Sequence, residues 1–426
     1  MNLYREMERA ALLEEYSRER ARFERFAAQK LRIDMSRGKP GDDQLYLSTS
    51  ILNTVTDETG YLTEEGFDCR NYGTLTGLSE CKRLFAEILE LHTDNIIVGG
   101  NSSLQLMFDY ITQCLTKGVS SCPAWSKQGK IRFLCPAPGY DRHFAICEYY
   151  GIDMINIDMN ADGPDVKMIE EYVKDESVKG MFCVPKYSNP QGITYSNEVV
   201  KRIAALKPAA KDFRIIWDDA YCVHDFTDNP DKLLSIYPEL VKNGNEDMVV
   251  QFASTSKMTF PGAGVAVIGT SKRNIEEISK RLFYQIISYD KINQLRHARY
   301  FKDLSGLKKH MKLHAEILKP KFSVVLDTLD KELSGKGIVS YNIPSGGYFI
   351  SLDVIEGSAL RVGGLCKEVG LKLTSVGATY PYGIDPFDRN IRIAPTYPPI
   401  DELKTAAEIL CVSVKLACLE AMLNEK

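Results

Sequence analysis

The stretch Ser254-Thr255-Ser256-Lys257 decides the fold class of this 426-residue chain. It follows the apolar run Met248–Ala253, which is typical of a buried strand, and it precedes the breaker-rich turn Met258–Gly264. Burial at the end of a strand favours the neutral form of an amine, and small hydroxyl side chains suit a phosphate. The pattern therefore indicates a lysine that forms an imine. An ordinary surface lysine at the mouth of a loop is the alternative.

Two earlier apolar runs also end in polar side chains. Phe213–Trp217 is followed by Asp218-Asp219-Ala220-Tyr221, and Gly180–Val184 is followed by Pro185-Lys186-Tyr187-Ser188-Asn189-Pro190-Gln191-Gly192. The carboxyl ends of parallel strands are where an α/β sheet presents its chemistry. An asparagine, an aspartate and a lysine are therefore expected, in this order along the chain, at three strand ends.

Together these motifs resemble the fold-type I enzymes that use pyridoxal 5'-phosphate (PLP), specifically the class I aspartate aminotransferase-like group. The motifs are Asn-Pro-x-Gly at Asn189, Asp-x-Ala-Tyr at Asp218 and Ser-x-Ser-Lys at Lys257. The resemblance covers nearly the whole chain. It implies an α/β protein with the three-layer α/β/α PLP-dependent transferase fold (the aspartate aminotransferase-like fold) and a smaller α+β domain.

Length, composition and charge agree with a globular enzyme. With 426 residues and 44% hydrophobic content, the chain can bury a sizeable core. The formal net charge of −4 gives no electrostatic case for binding nucleic acid or an anionic membrane surface. Eleven scattered cysteines without a Cys-x-x-Cys pair, the lack of a signal peptide and the lack of a long apolar run predict a cytoplasmic protein with small-molecule substrates.

The resemblance, together with helical and breaker-rich stretches, implies three parts of the chain. Residues 1–49 are expected to form an N-terminal helix and an active-site segment that join the small domain. Residues 50–300 are expected to form the large PLP-binding domain, and residues 301–426 the small C-terminal domain. His310 and His314 are spaced like metal ligands on a helix but lack the glutamate of a metalloprotease motif, so a solvated helix face and no metal site are predicted.

The phosphate of the cofactor is expected at the turn Gly99-Gly100-Asn101-Ser102-Ser103, which lies between a short strand and the helix Leu104–Leu115. Glycines let the backbone approach an anion, and the first N–H groups of a helix point at it. The resemblance adds further cofactor-binding residues. The full set is Tyr72, Gly100, Asn101, Ser102, Tyr140, His143, Asn189, Asp218, Tyr221, Ser254 and Lys257.

The resemblance also gives these residues roles. PLP is expected as a covalent imine on Lys257, and Asp218 is expected to pair with the pyridine nitrogen, with Asp219 as the competitor for that role. Tyr221 and Asn189 are expected to hydrogen-bond the phenolic oxygen. Tyr140 would stack on the ring and His143 would brace the aspartate, while Tyr72 would reach the cofactor of a neighbouring subunit. An ordinary loop tyrosine is the alternative for Tyr72.

The expected substrate-binding residues are Arg392, Asn189, Gly38 and Arg37. An arginine inside the apolar strand Asn390–Ala394 needs a partner anion, and in this family it clamps the substrate α-carboxylate. An internal ion pair is the alternative. Arg37 is the candidate for the distal carboxylate of a dicarboxylate, Arg142 is the second candidate, and a solvated surface arginine is the alternative for both.

One position departs from the family pattern. Many members have an arginine eight residues after the lysine to pair with the phosphate, and this chain has Val265 there. The variant resembles a divergent aspartate aminotransferase subgroup called type Ic, which favours aspartate as the amino donor. A cation from elsewhere, Lys39 or Arg281, is expected to take the place of the missing arginine.

The resemblance thus predicts an enzyme that moves the amino group of L-aspartate to 2-oxoglutarate, giving oxaloacetate and L-glutamate. Lys257, Asp218 and Tyr221 are the expected catalytic residues, and a homodimer with shared active sites is expected. The alternatives are an aminotransferase of another amino acid such as alanine, a PLP-dependent lyase or decarboxylase, and a PLP-binding transcription regulator. The last needs a winged helix-turn-helix, for which the single predicted helix before Ser36 leaves no room.

Overall fold

The structure, a computed structural model, describes residues 3–425. Its strands form an eight-stranded sheet, a three-stranded sheet and a two-stranded pair. In chain order they are β1 (Ile33–Asp34), β2 (Ile96–Val98), β3 (Arg132–Ala137), β4 (Asp153–Asn160), β5 (Gly163–Pro164), β6 (Val178–Cys183), β7 (Arg214–Asp218), β8 (Val249–Ser254), β9 (Ala266–Thr270), β10 (Val339–Tyr341), β11 (Ile350–Val354), β12 (Leu371–Lys372) and β13 (Asn390–Ile393).

Helices connect and cover these strands. The α-helices of the described chain are α1 (Arg9–Ala27), α2 (Asp42–Leu47), α3 (Ser79–Leu89), α4 (Ser103–Thr116), α5 (Asp141–Tyr150), α6 (Val166–Tyr172), α7 (Asn197–Ala204), α8 (Ile236–Lys242), α9 (Lys272–Gln285), α10 (Lys291–Phe301), α11 (Leu304–Leu333), α12 (Ala359–Glu368) and α13 (Ile400–Glu425). None of the helices within residues 3–425 is both long enough and apolar enough to cross a membrane.

The large sheet brings the three sequence motifs to one edge. Its strand order is β2-β9-β8-β7-β6-β3-β4-β5, and β8, β7, β6, β3 and β4 run parallel. Strand β9 is antiparallel to both of its neighbours. Because β6, β7 and β8 are adjacent and parallel, the segments that follow them meet at the same edge of the sheet. Asn189, Asp218 and Lys257 lie at or just beyond these three strand ends.

Both faces of the large sheet are covered by helices. Every residue of β6, β7 and β8 is buried, as expected for parallel strands with helices on both sides. Helices α4, α5 and α9 pack on one face, and α6, α7 and α8 pack on the other. This is the predicted three-layer α/β/α arrangement.

A second core joins the two ends of the chain. The antiparallel sheet β10-β11-β13 shares one apolar cluster with α1, α11, α12 and α13. Strand β1 pairs with β12, so Ile33 lies beside Leu371. The N-terminal helix and the segment after it therefore pack with C-terminal elements. The domain boundaries at residues 49 and 300 stay predictions.

Candidate active site

A cavity of about 530 Å³ lies where the segments after β6, β7 and β8 meet the segment after β1 and the C-terminal strands. Predicted site residues from distant parts of the chain line it together. These residues are Arg37, Gly38, Tyr140, Asn189, Tyr221, Lys257 and Arg392.

Lys257 follows β8 and projects among aromatic rings. Its Nζ lies 5.0 Å from the ring centroid of Tyr221 and 5.9 Å from that of Tyr348. Burial lowers the pKa of the Lys257 amino group, and the carboxylate of Asp218 opposes this effect only in part. A lowered pKa favours the neutral amine, which is the nucleophilic form.

Asp218 is held from one side by a histidine. The distance from His143 Nε2 to Asp218 Oδ2 is 3.1 Å, and the imidazole is itself stacked on Phe182 at 4.6 Å between ring centroids. Asp218 Oδ1 is buried and has no hydrogen-bond partner among the described residues. A buried carboxylate oxygen without a partner is unfavourable, so this atom marks the place of a missing donor.

Asp219 faces a different environment. It lines a separate cavity of about 360 Å³ together with Lys186 and Gln251. Burial raises the pKa of its carboxyl group well above the usual range. The alternation of side chains along the strand thus points the two aspartates in different directions. This supports Asp218, and not Asp219, as the residue that pairs with the pyridine nitrogen of the cofactor.

The predicted phosphate turn is joined to the Lys257 turn by hydrogen bonds. Ser256 Oγ donates to the carbonyl of Asn101 at 3.3 Å, and Ser254 Oγ donates to Ser256 Oγ at 3.1 Å. Ser102 is the N-cap of α4 and accepts from Gln105 N. The first turn of α4 leaves N–H groups without intrahelical partners. The turn therefore offers an anion site beside Lys257.

Space is left at this turn. An added Cβ at Gly100 would find no atom nearer than 3.8 Å, the closest being a ring carbon of Tyr289. Together with the unpartnered Asp218 Oδ1 and the Lys257 amine, the N–H groups of this turn fit PLP. The carboxylate suits the protonated pyridine nitrogen, the helix N–H groups suit the phosphate, and the amine suits the imine. Tyr140 lines the same cavity, and burial raises its pKa to about 12.

Arg392 is almost fully buried and makes three polar contacts. Its Nη1 donates to Asp141 Oδ1 at 2.8 Å and to Asn189 Oδ1 at 3.2 Å, and its Nε donates to Thr374 Oγ1 at 3.2 Å. The alternative raised from the sequence, an internal ion pair, is thus present with Asp141. The role of Arg392 as a carboxylate clamp stays a prediction.

Gly38 brings the segment after β1 against the site. A Cβ at this position would lie 2.4 Å from the ring of Phe349, so the close approach requires glycine. The Cζ of Arg392 lies 4.9 Å from the centroid of the same ring. Arg37 is exposed, lines the cavity and forms no ion pair within residues 3–425. The same is true of Arg142, so geometry leaves both candidates for a distal carboxylate.

The sequence matches the aspartate amino-transferase family over residues 7–426. This chain belongs to that family. It is 41% identical over 404 residues to an aspartate aminotransferase of Corynebacterium glutamicum, a match that covers 95% of this chain and 93% of that protein. The crystal structure of an aspartate transaminase from the same organism has a TM-score of 0.96 at 39% identity and covers 99% of both chains.

The fold extends to more distant aminotransferases. An α-aminoadipate aminotransferase of Thermus thermophilus, solved in complex with N-(5'-phosphopyridoxyl)-L-leucine, has a TM-score of 0.73 at 18% identity and covers 94% of this chain and 95% of that one. The predicted PLP-dependent transferase fold with its smaller α+β domain is confirmed. The protein is an aminotransferase, and family membership implies PLP as cofactor and amino and 2-oxo acids as substrates.

Three predicted residues of this aminotransferase lie apart from the cluster or have other contacts. Tyr72 is 73% exposed and does not line the cavity. Lys39 lines the cavity, but its Nζ lies 3.6 Å from the ring centroid of Tyr397. Arg281 does not line the cavity, and its Nε is buried without a partner in the described chain. The cation that replaces the arginine missing at Val265 stays a prediction.

The prediction of a solvated face at His310 and His314 is wrong. Both residues are buried, at 7% and 1% exposure, and their Nε2 atoms lie 3.0 Å apart. His310 Nε2 lies 2.8 Å from the carbonyl of Met258, and His314 Nδ1 accepts from Gln44 Nε2 at 3.1 Å. These hydrogen bonds compensate for the water that the two imidazole rings lose on burial. Burial also lowers the pKa of His314 to about 4.

A helical pattern points to this burial. Leu307, Met311 and Leu318 are buried on α11 at the spacing of one helix face, and the two histidines lie on the same face. No group of three or more His, Cys, Asp or Glu side chains in residues 3–425 is arranged to hold a metal ion.

Sequence motifs also missed the residues that hold the Lys257 backbone. Tyr348 OH donates to the carbonyl of Lys257 at 3.3 Å, and His224 Nε2 lies 3.4 Å from the same oxygen. The turn after β8 is thereby fixed from a C-terminal segment and from the loop after β7. The sequence signal that could have identified Tyr348 is the pair of glycines before it, Gly346-Gly347.

Proposed function

We propose that this aminotransferase moves the amino group of L-aspartate to 2-oxoglutarate, giving oxaloacetate and L-glutamate. The observation that carries the proposal is the charge of the cavity. Apart from Lys257, whose neutral form is favoured by burial, its lining holds five basic side chains against one carboxylate, that of Asp141. The five basic residues are Arg37, Lys39, Arg142, Lys372 and Arg392. All four proposed reactants are dicarboxylic acids, which need a second cation besides Arg392.

PLP, when bound, supplies the electron sink for the carbon that loses its proton. Lys257 would hold the cofactor as an imine. Once the substrate amine has displaced it, the Lys257 amine, whose pKa is lowered by burial, would be free to take the proton from the substrate Cα. Asp218, oriented by His143, keeps the pyridine nitrogen protonated through its free Oδ1. Tyr221 and Asn189 would donate hydrogen bonds to the phenolic oxygen of the bound cofactor.

The substrate-binding roles follow from position. Arg392 holds the α-carboxylate, and its Nη2, which has no hydrogen bond within residues 3–425, faces this task with Asn189 beside it. Gly38 brings its segment over the substrate. Arg37, which has no ion pair in the described chain, binds the distal carboxylate. A guanidinium left unpaired by alanine or leucine disfavours these competitors.

The active enzyme is a cytoplasmic homodimer with shared sites. Tyr72 is exposed on the subunit and is free to reach the phosphate site of a partner. Gly100, Asn101, Ser102 and Ser254 bind that phosphate within the subunit. Mixing an inactive Lys257→Ala protein with an inactive Tyr72→Ala protein should restore activity, because mixed dimers contain one site with both native residues. A monomer in sedimentation analysis, or no restored activity, contradicts sharing.

The substrate assignment is tested with the PLP-loaded enzyme. Purified protein is mixed with L-aspartate alone, and oxaloacetate is measured together with the change in cofactor absorbance. 2-Oxoglutarate is then added and L-glutamate is measured. We expect one oxaloacetate per site without acceptor and turnover with it, while L-alanine and L-leucine react far more slowly. Faster reaction with alanine contradicts the assignment, and release of carbon dioxide or ammonia identifies a decarboxylase or lyase.

A further inference from the structure

We propose that Asp141 is an internal competitor of the substrate for Arg392. Its carboxylate binds the guanidinium when no substrate is present and leaves when a substrate carboxylate arrives. The inference rests on the proposed role of Arg392 as the α-carboxylate clamp. Asp141 would thereby set the affinity of this aminotransferase for both its amino acid and its oxo acid.

The contact occupies a position that a substrate carboxylate needs. Asp141 Oδ1 accepts from Arg392 Nη1 at 2.8 Å. A carboxylate that binds the end of a guanidinium in two-pronged fashion uses both terminal nitrogens, so in this mode the substrate needs Nη1 as well as the free Nη2. Two carboxylates that share one guanidinium repel each other. End-on binding of the substrate and the Asp141 contact therefore compete.

The two partners differ in how firmly they are held. Arg392 is 6% exposed and is fixed by Asn189 and Thr374 as well as by the Phe349 ring. The side chain of Asp141 is 32% exposed, and Arg392 is its one hydrogen-bond partner in the described chain. Rotation of the Asp141 side chain thus exchanges one contact, whereas movement of Arg392 breaks several. Asp141 is the group that moves.

A released Asp141 has a favourable place to go. It is the first residue of α5, and the N-terminus of a helix favours a negative charge. Its neighbour Arg142 is exposed and has no ion pair among the described residues. Release therefore needs no movement of the helix. Because the apparent affinity of a site falls with the fraction of time it is blocked, the contact weakens carboxylate binding without altering the chemical step.

The test measures binding of maleate, a dicarboxylate with neither an amino nor an oxo group, to the PLP-loaded enzyme by calorimetry. Asp141→Asn removes the charge but keeps an oxygen acceptor, and Asp141→Ser is a second neutral variant. Asp141→Glu keeps the charge. Glu148→Gln, at the exposed far end of α5, is the matched control for the loss of one acidic residue from the same helix.

We expect Asp141→Asn and Asp141→Ser to bind maleate roughly three- to tenfold more tightly than the native enzyme. KM for aspartate and KM for 2-oxoglutarate should fall by similar factors, because both place a carboxylate on the same arginine. Asp141→Glu and Glu148→Gln should bind like the native enzyme. Cofactor absorbance and melting temperature verify that each variant is folded and loaded.

Unchanged or weaker maleate binding in both neutral variants overturns the inference, since Asp141 then does not compete or serves only to position Arg392. If the native enzyme transfers the amino group of aspartate in that case, the proposed function stands and only the role of Asp141 falls. If the native enzyme neither binds maleate nor reacts with aspartate, the proposed function fails as well.

Discussion

Two regions of the candidate active site differ in how well their side chains are buried. The inner wall comprises Tyr221 and Lys257, which line the cavity, together with His143 and Asp218, which do not. The cationic rim comprises Arg37, Lys39, Arg142 and Lys372. His143, Asp218 and Tyr221 are each 3% exposed or less, and His143 and Asp218 contact each other. All four rim residues are exposed.

This difference separates the chemistry from the choice of substrate. The side chains of the inner wall are mostly buried and carry the proposed chemistry, so a change there should alter the reaction itself. Long charged side chains on the rim have several positions available, and each contributes modestly. We therefore expect mutations of the inner wall to affect all amino acids alike and mutations of the rim to discriminate between them.

The largest effect is expected at Lys257. Lys257→Ala removes the amine that carries the cofactor and moves the proton, so activity with any amino acid should fall by about 10⁴ or more. PLP should still bind non-covalently, because Asp218 and the N-terminus of α4 are unchanged. Borohydride reduction should attach the cofactor permanently to the native enzyme and not to the variant. A mass measurement of each protein detects the difference.

Lys39→Ala, on the rim, is the control and should retain the reducible link. A native enzyme without that link, or an active Lys257→Ala protein, shows that another residue binds the cofactor.

Asp218→Asn is expected to have the next largest effect. The amide cannot keep the pyridine nitrogen protonated, so the rate of Cα proton removal should fall at least about a hundredfold with the fold intact. Asp219→Asn is the matched control, because Asp219 lines the other cavity. Single-turnover absorbance measurements with aspartate give both rates. A slow Asp219 variant with a fast Asp218 variant reverses the assignment.

The rim should show selective effects. Arg37→Ala should lower kcat/KM for aspartate by roughly 2–4 kcal/mol in transition-state terms, with little change for alanine, because only a dicarboxylate makes the lost contact. Steady-state kinetics with both amino acids measure this, and Arg142→Ala is the comparison. Equal losses for aspartate and alanine in Arg37→Ala indicate a role in closure, and a selective loss in Arg142→Ala moves the distal site there.

The smallest effect concerns the buried histidines behind the inner wall. His314 has a pKa lowered to about 4 by burial, so the unfolded chain takes up a proton more readily than the folded one below pH 6.5. The contribution of neutral His314 to the free energy of unfolding is therefore complete above pH 6.5 and is lost as the pH falls towards 4. The loss is on the order of 1.4 kcal/mol of unfolding free energy per pH unit.

Denaturant unfolding at several pH values should show this slope, and His314→Gln should make it shallower. His224 and His297, whose pKa values are also lowered by burial, should keep the rest of the slope. The exposed His92, replaced by glutamine, serves as the control and should leave the slope unchanged. A native slope in His314→Gln places the pH dependence elsewhere.

The inner wall could be predicted because its information is local. Asp218 and Lys257, and also Asn189 outside the wall, lie at or beyond the end of an apolar strand. The parallel order of β6, β7 and β8 makes these adjacent strand ends meet. The same reasoning supports the phosphate turn, which is a strand, two glycines and a helix. Short motifs that determine the local course of the backbone can be identified from the sequence before the fold is known.

The remaining contacts depend on pairs that lie far apart in the chain. Asp141 and Arg392 are 251 residues apart, Tyr348 and Lys257 are 91 apart, and His310 and Met258 are 52 apart. No local pattern pairs them. His310 and His314 are spaced like metal ligands, but the apolar residues of the same face of α11, Leu307, Met311 and Leu318, are the pattern that indicates their burial.

The pairing of β1 with β12 has a consequence for synthesis of the enzyme. Ile33 lies beside Leu371, which leaves the ribosome 338 residues later. At translation rates of about 5–20 residues per second, the segment that carries Arg37 waits roughly 20–70 s for its partner. The eight-stranded sheet, which ends with β9 at Thr270, is complete before that. A nascent chain can therefore form its inner wall before its cationic rim is assembled.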